Sequence, residues 1–70
     1  MIPLNYADVG KPVIIKKIGG NDEVKRHLEV LGFVVGGSVT VISGISGNII
    51  LNVKDSRIAI GKDMAQKIMV

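Results

Sequence analysis

The sequence predicts a mainly β fold, a small five-stranded barrel with one short helix inserted after the first strand and a helical turn before the last. Valine and isoleucine supply 21 residues, while leucine supplies only four. Such β-branched side chains fit pleated sheets and lose rotamer freedom in helices. The nine glycines lie mostly between short apolar runs, which is typical of sandwiches and small barrels. With 47% apolar and 21% charged residues in 70, we expect one folded domain over residues 1–70.

The first strand is predicted over residues 12–18. Pro12 can begin it, because the first position of a strand needs no ladder donor. The alternation is imperfect, because residues 13–15 are consecutive apolar residues and Ile18 follows two lysines. A β-bulge or a strand covered on both faces would each account for this pattern, and both alternatives stay open.

The one convincing helix is predicted over residues 22–31. Asn21 is a good N-cap, and Gly32 is placed for the left-handed position that ends a helix. The apolar residues recur with helical spacing and form one stripe, which favours packing against the sheet. The stripe consists of Val24, Leu28 and Leu31.

Alternation is clearer in the second half of the chain. Ile49, Leu51 and Val53 point to one face of a strand. The predicted elements are a strand over residues 38–43, a loop over 44–48, a strand over 49–54, a turn at 55–56, a strand over 57–60, one helical turn over 61–66 and a last strand over 67–70. Five short strands with a helical turn before the last predict an SH3-like barrel, in which curling of the sheet leaves little open edge.

Groups for catalysis and metal binding are few in this sequence. His27 is the only histidine and there is no cysteine, whereas zinc sites use three or four protein ligands. Glu23 can share a helix face with His27, but one imidazole and one carboxylate do not make a dedicated site. No Gly-x-Ser-x-Gly elbow and no phosphate-binding loop occurs, and so short a chain has few residues to spare for a catalytic pocket. We therefore expect no enzyme activity, no catalytic residues, no cofactor and no metal site.

The excess of basic residues raises the question of whether the chain binds nucleic acid. Nine basic residues against six acidic ones give a net charge of +3, and small basic barrels do bind RNA or DNA. Base stacking, however, needs aromatic platforms, and the chain has one Tyr, one Phe and no Trp. The lysines are also spread from Lys11 to Lys67. A small basic SH3-like nucleic-acid-binding module is therefore the alternative interpretation.

Several apolar residues fall at turns or on outward-facing registers. They are Val34, Val35, Ile45, Ile50 and Met69. A cluster of exposed apolar side chains would mark a protein interface, but some of these residues can equally cover the ends of the barrel. No apolar run approaches the ~20 residues that cross a bilayer, and no secretory signal is visible, so we expect a cytoplasmic protein.

The chain resembles the FeoA-type accessory proteins of bacterial ferrous iron uptake. The resemblance rests on residues 28–33 (LEVLGF) followed by Gly36, Val39 and Val41, on residues 47–49, on the hairpin segment 53–60 and on the ending 64–70. It implies an SH3-like barrel with a helix after the first strand, and a cytosolic, non-enzymatic partner of the ferrous iron permease FeoB, which carries a GTPase domain. The resemblance also implies the broad association that domains of this family have with transition metals. Many relatives have proline where Val35 stands and arginine where His27 stands.

The resemblance leads to one hypothesis for the contact surface. The helix and the turn after it would dock on FeoB, with charged residues setting encounter rate and register and apolar residues supplying affinity. The residues are Lys25, Arg26, Glu29, Phe33, Val34 and Val35. Membrane contact would come only through this partner, and a homo-oligomer is left open. A third hypothesis is a weak ferrous ion sensor that uses His27, Glu23 and a dimer mate.

Overall fold

Six β-strands and two short α-helices make up the computed structural model, which describes the backbone of residues 1–70 and every side chain except that of Ile45. The chain begins with a 3-10 helix at Leu4–Tyr6. The elements that follow are β1 (Pro12–Ile14), β2 (Lys17–Ile18), α1 (Asp22–Val30), β3 (Ser38–Ile45), β4 (Asn48–Val53), β5 (Ser56–Gly61), α2 (Lys62–Ala65) and β6 (Ile68–Met69).

The strands form two antiparallel sheets. One has four strands in the order β1-β3-β4-β5, and the other pairs β2 with β6. The mainly β class, the helix after the first strands and the helical turn before the last strand are confirmed. The prediction of a five-stranded barrel is wrong in its strand count, since six strands form two sheets that are not joined into one closed ladder.

The sixth strand arises because the predicted strand over residues 12–18 is divided in two. The backbone N–H of Ile15 donates to Gly37 at 2.9 Å, whereas that of Lys16 donates to Met69 at 2.8 Å. The chain therefore leaves the four-stranded sheet and joins β6 within two residues. Neither earlier alternative explains the broken alternation, because β1 pairs with β3 without a register shift and Ile14 is 50% exposed.

The two hairpins differ slightly from their predicted bounds. An extra residue, Ile42, interrupts the β3–β4 register as a bulge, and β3 continues to a tight turn at Ser46 and Gly47, which both have positive φ. Two-residue hairpin turns of this kind match the twist of the strands. The second turn lies at residues 54–55, one position before the predicted one, because Lys54 takes the positive φ.

Local signals at both ends determine where α1 lies. The side chain of Asn21 accepts a hydrogen bond from the backbone N–H of Val24 at 2.9 Å. At the other end, the N–H of Gly32 donates to Glu29 and that of Phe33 donates to Leu28, both at 2.9 Å. This pair of bonds is a Schellman motif, which satisfies two carbonyl groups at the end of the helix. Both predicted caps are confirmed.

Apolar residues from every part of the chain, aliphatic except for Phe33, form one core. The predicted face of β4 is confirmed, since Ile49, Leu51 and Val53 are at most 4% exposed. The buried residues are Leu4, Ile15, Leu28, Phe33, Val39, Val41, Ile49, Leu51, Val53, Ile60, Ala65, Ile68 and Val70. No polar or charged residue is buried in the part of the chain described. Neither α1 nor α2 has the length and apolar character needed to span a bilayer, judged over those same residues.

Replacing Asn21 with alanine is expected to lower the free energy of unfolding by about 1 kcal/mol, because the N–H of Val24 loses its acceptor. Asn21→Asp keeps an acceptor and is expected to stay within about 0.5 kcal/mol of the unchanged chain. Urea denaturation followed by circular dichroism measures both. Equal losses in the two variants would contradict a capping role for Asn21.

Candidate partner-binding surface

A groove runs between α1, β2 and the turn that follows α1. We call it the α1–β2 groove, and its volume is about 560 Å³. Its lining consists of Lys16, Lys17, Ile18, Lys25, Glu29, Phe33, Val34 and Val35. Five of the six residues that the sequence predicted as partner contacts therefore come together, and Arg26 is the exception.

Hydrogen bonds hold the turn of this groove against the first sheet. The Schellman motif reverses the chain after α1, and the N–H of Gly37 donates to Val34 at 2.9 Å. The N–H of Gly36 donates to Ile15 at 2.8 Å, and the N–H of Ile15 donates back to Gly37 at 2.9 Å. The wall that carries Val34 and Val35 is therefore set by the backbone, so a partner would not have to order it.

The apolar residues of the turn divide between core and surface. Phe33 is 0% exposed, whereas Val34 is 37% and Val35 is 63% exposed. The ring of Phe33 belongs to the core beneath the groove and contributes no accessible surface, and its part in partner binding stays a prediction. Val34 and Val35 are the apolar side chains of the turn that a partner can reach.

Three lining residues were missed by sequence reasoning. Lys16 and Lys17 lie where the chain passes from one sheet to the other, and Ile18 follows them in β2. The sequence feature that could have indicated them is the pair of consecutive lysines that interrupts the apolar run of residues 13–18. This feature does not show that α1 lies opposite the lysines, because residues 16–18 and α1 meet only in the tertiary structure.

The charged groups of the groove are not used by the fold. Lys16, Lys17, Lys25 and Glu29 are all exposed. Among the described side chains, the one ion pair lies elsewhere and joins Lys11 Nζ to Asp8 Oδ2 at 3.6 Å. Exposed pairs of that kind contribute little to stability. Among the described side chains, the groove thus presents ammonium groups that form no ion pair, one carboxylate and exposed aliphatic groups.

Arg26 lies on the neighbouring side of the helix. It lines a second groove of about 440 Å³ between α1 and α2, together with Glu23, Val24, His27, Val30 and Met64. Glu23 and His27 do share a groove, as their spacing predicted. Over the described residues, however, no three His, Cys, Asp or Glu side chains come together as a group that could hold a metal ion. The chain by itself therefore supplies two candidate ligands here.

The predicted exposure of outward apolar residues is confirmed in part. Val34 and Val35 are exposed, while Ile50 and Met69 are half-buried. The side chain of Ile45 lies outside the described residues. Val34 and Val35 line the α1–β2 groove, so exposed apolar and charged side chains lie in the same groove.

Comparisons with known proteins agree with one another. The FeoA domain model matches residues 2–70. The Methanocaldococcus jannaschii protein named Fe(2+) transport protein A is 40% identical over 70 residues, which is 100% of this chain and 85% of that protein. The crystal structure of an iron uptake regulatory protein, FeoA, superimposes with a TM-score of 0.88 at 31% identity, over 97% of this chain and 90% of that one.

A more distant structure bears on the fold alone. Stenotrophomonas maltophilia FeoA in complex with zinc, described as an SH3 domain protein, has a TM-score of 0.83 at 20% identity, over 99% of this chain and 88% of that one. The SH3-like arrangement is therefore shared although most residues differ. With a family match over nearly its whole length and a relative at 40% identity, this chain belongs to the FeoA domain family.

Proposed function

We propose that this chain is a non-enzymatic accessory protein of ferrous iron uptake that docks through its α1–β2 groove on the cytosolic GTPase region of the FeoB permease. Membership of the FeoA family supports the role in ferrous iron transport. One observation supports the docking site, namely that exposed Val34 and Val35 lie beside charged groups that the fold does not pair.

The two kinds of side chain contribute differently to docking. The lysines and Glu29 steer the encounter and set the register of the complex. Burial of Val34 and Val35 supplies affinity, because apolar area removed from water is the main favourable contribution. To regulate a GTPase, this chain must bind one conformation of the GTPase more tightly than the others. Equal affinity for all conformations of the GTPase would shift no population.

A titration of the ¹⁵N-labelled chain with the isolated cytosolic region of FeoB tests this proposal. We expect amide shifts at residues 16–18, at Lys25 and Glu29, and at residues 34–35. Absence of shifts at high micromolar partner would contradict docking on that region. Shifts confined to other faces would contradict the groove as the docking site.

A matched pair of variants sharpens the test. Val35→Ser is expected to weaken binding roughly tenfold, because about 1.5 kcal/mol of apolar burial is lost. Val9→Ser is the control, since Val9 is also a valine with 63% exposure but does not line the groove. It is expected to leave the affinity unchanged, and equal losses in both variants would argue against a local contact.

A further inference from the structure

The α1–β2 groove concentrates the positive charge of the chain. Lys16, Lys17 and Lys25 lie in its lining against the single carboxylate of Glu29, so the groove carries 3 − 1 = +2 of the net charge of +3. None of these lysines forms an ion pair with a carboxylate among the described side chains. Unpaired cations around one concave surface favour an anionic partner there.

The same groove also has an apolar side. Val34 is 37% and Val35 63% exposed, and half-buried Ile18 lies in the lining with them. A partner made only of negative charge would leave these aliphatic groups in water. The lining therefore fits a ligand that combines acidic groups with at least one aliphatic group.

A peptide fits this lining better than a nucleic acid does. Stacked bases need exposed aromatic rings, but Phe33 is fully buried and Tyr6 lines a different groove. Glu29 would repel a regular row of phosphates, whereas a peptide can place a neutral or basic residue opposite it. Glu29 and Lys25 are one helical turn apart, so the helix presents both signs of charge to the groove.

We propose that the α1–β2 groove binds a short acidic segment of a protein, in which carboxylates pair with Lys16, Lys17 and Lys25 and one aliphatic side chain packs on Val34 and Val35. This inference rests on the proposed function, since the segment would belong to the docking partner. Exposed lysine–carboxylate pairs are individually weak, so the aliphatic anchor and several pairs act together.

Two synthetic hexapeptides test the chemistry without the natural partner. The first is acetyl-Glu-Asp-Leu-Glu-Ile-Asp-amide, and the second replaces every acid by its amide, giving acetyl-Gln-Asn-Leu-Gln-Ile-Asn-amide. Titrated into the ¹⁵N-labelled full chain, the acidic peptide is expected to shift amides at residues 16–18 and 34–35 with millimolar affinity. The neutral peptide is expected to bind about tenfold more weakly, through loss of the charge pairs.

Charge-reversed variants separate a local effect from the overall charge. The double variant K16E/K17E is expected to weaken binding of the acidic peptide at least tenfold. The control K54E/K62E changes the net charge equally at two exposed lysines outside the groove, and it is expected to reduce binding less than twofold. Equal binding of the two peptides, equal losses in the two double variants or shifts outside the groove would each overturn the proposal.

Two further arms distinguish this inference from other outcomes. A twelve-nucleotide oligo(dT) that shifts the groove amides more strongly than the acidic peptide, with steep salt dependence, would overturn it in favour of nucleic acid. If the acidic peptide binds but the cytosolic FeoB region shifts no amide, the groove chemistry stands and the proposed docking fails. If that region shifts amides only at another face, docking on FeoB stands, the groove as its docking site is wrong, and the inference fails for a segment of that partner.

Discussion

Phe33→Ala is expected to lower the free energy of unfolding by about 3–5 kcal/mol. Phe33 is 0% exposed and is the largest fully buried side chain among the described residues, and its loss would leave a cavity under the groove. A domain of 70 residues has a total stability of roughly 4–10 kcal/mol. The variant is therefore expected to lose a large part of its stability, which urea denaturation measures. If the unchanged chain lies at the lower end of this range, the variant is expected to lose the native dispersion of its amide signals as well.

The neighbouring valine provides the control for this prediction. Val35→Ala is expected to change stability by less than about 0.5 kcal/mol, because Val35 is 63% exposed. If Phe33→Ala does not fold, Phe33→Leu keeps most of the volume and should cost about 1–2 kcal/mol. A stable Phe33→Ala chain that has lost only partner binding would show that Phe33 acts as a contact and not as core.

Gly32→Ala is expected to lower the free energy of unfolding by about 1–3 kcal/mol. Gly32 has φ +106°, a conformation that residues with a Cβ rarely adopt, and an added Cβ would lie 3.1 Å from Val53 Cγ1. The strain falls on the Schellman motif, which connects α1 to the groove wall. Thermal and urea denaturation measure the loss, and shifted amides at residues 33–35 report the displaced turn.

Gly44→Ala is the matched control for that substitution. Gly44 lies in β3 without positive φ, and the nearest atom to an added Cβ is the carbonyl oxygen of Asn48 at 3.8 Å. Alanine there restricts the unfolded chain without straining the fold, so stability should hold or rise by up to about 1 kcal/mol. Similar losses at both glycines would contradict backbone strain as the cause at Gly32.

Elements with local signals were predicted well. The caps of α1 depend on Asn21 and Gly32, which lie within a few residues of the hydrogen bonds they make. The buried face of β4 follows from strict alternation of apolar residues, which orients a strand whatever its neighbours are. These features depend on backbone preference and periodicity, and both can be deduced from a short window of sequence.

Elements that depend on distant segments were predicted less well. The division of residues 12–18 requires Lys16 to find Met69, over fifty positions away along the chain. The burial of Phe33 and the exposure of Val34 and Val35 likewise depend on how the turn packs on the core. All three are consecutive apolar residues, so no local pattern separates them.

Residue order alone therefore specified the β-rich class, the single short helix with its two caps and the family to which the chain belongs, because each rests on neighbouring residues or on a continuous motif. Folding in three dimensions set the six-strand arrangement and brought Lys16 and Lys17 opposite Lys25 and Glu29. The physical reason is that a run of consecutive apolar residues looks the same in the sequence whether it is buried or exposed. Contacts with segments that are distant in the chain decide which strand it pairs with and which of its side chains are buried.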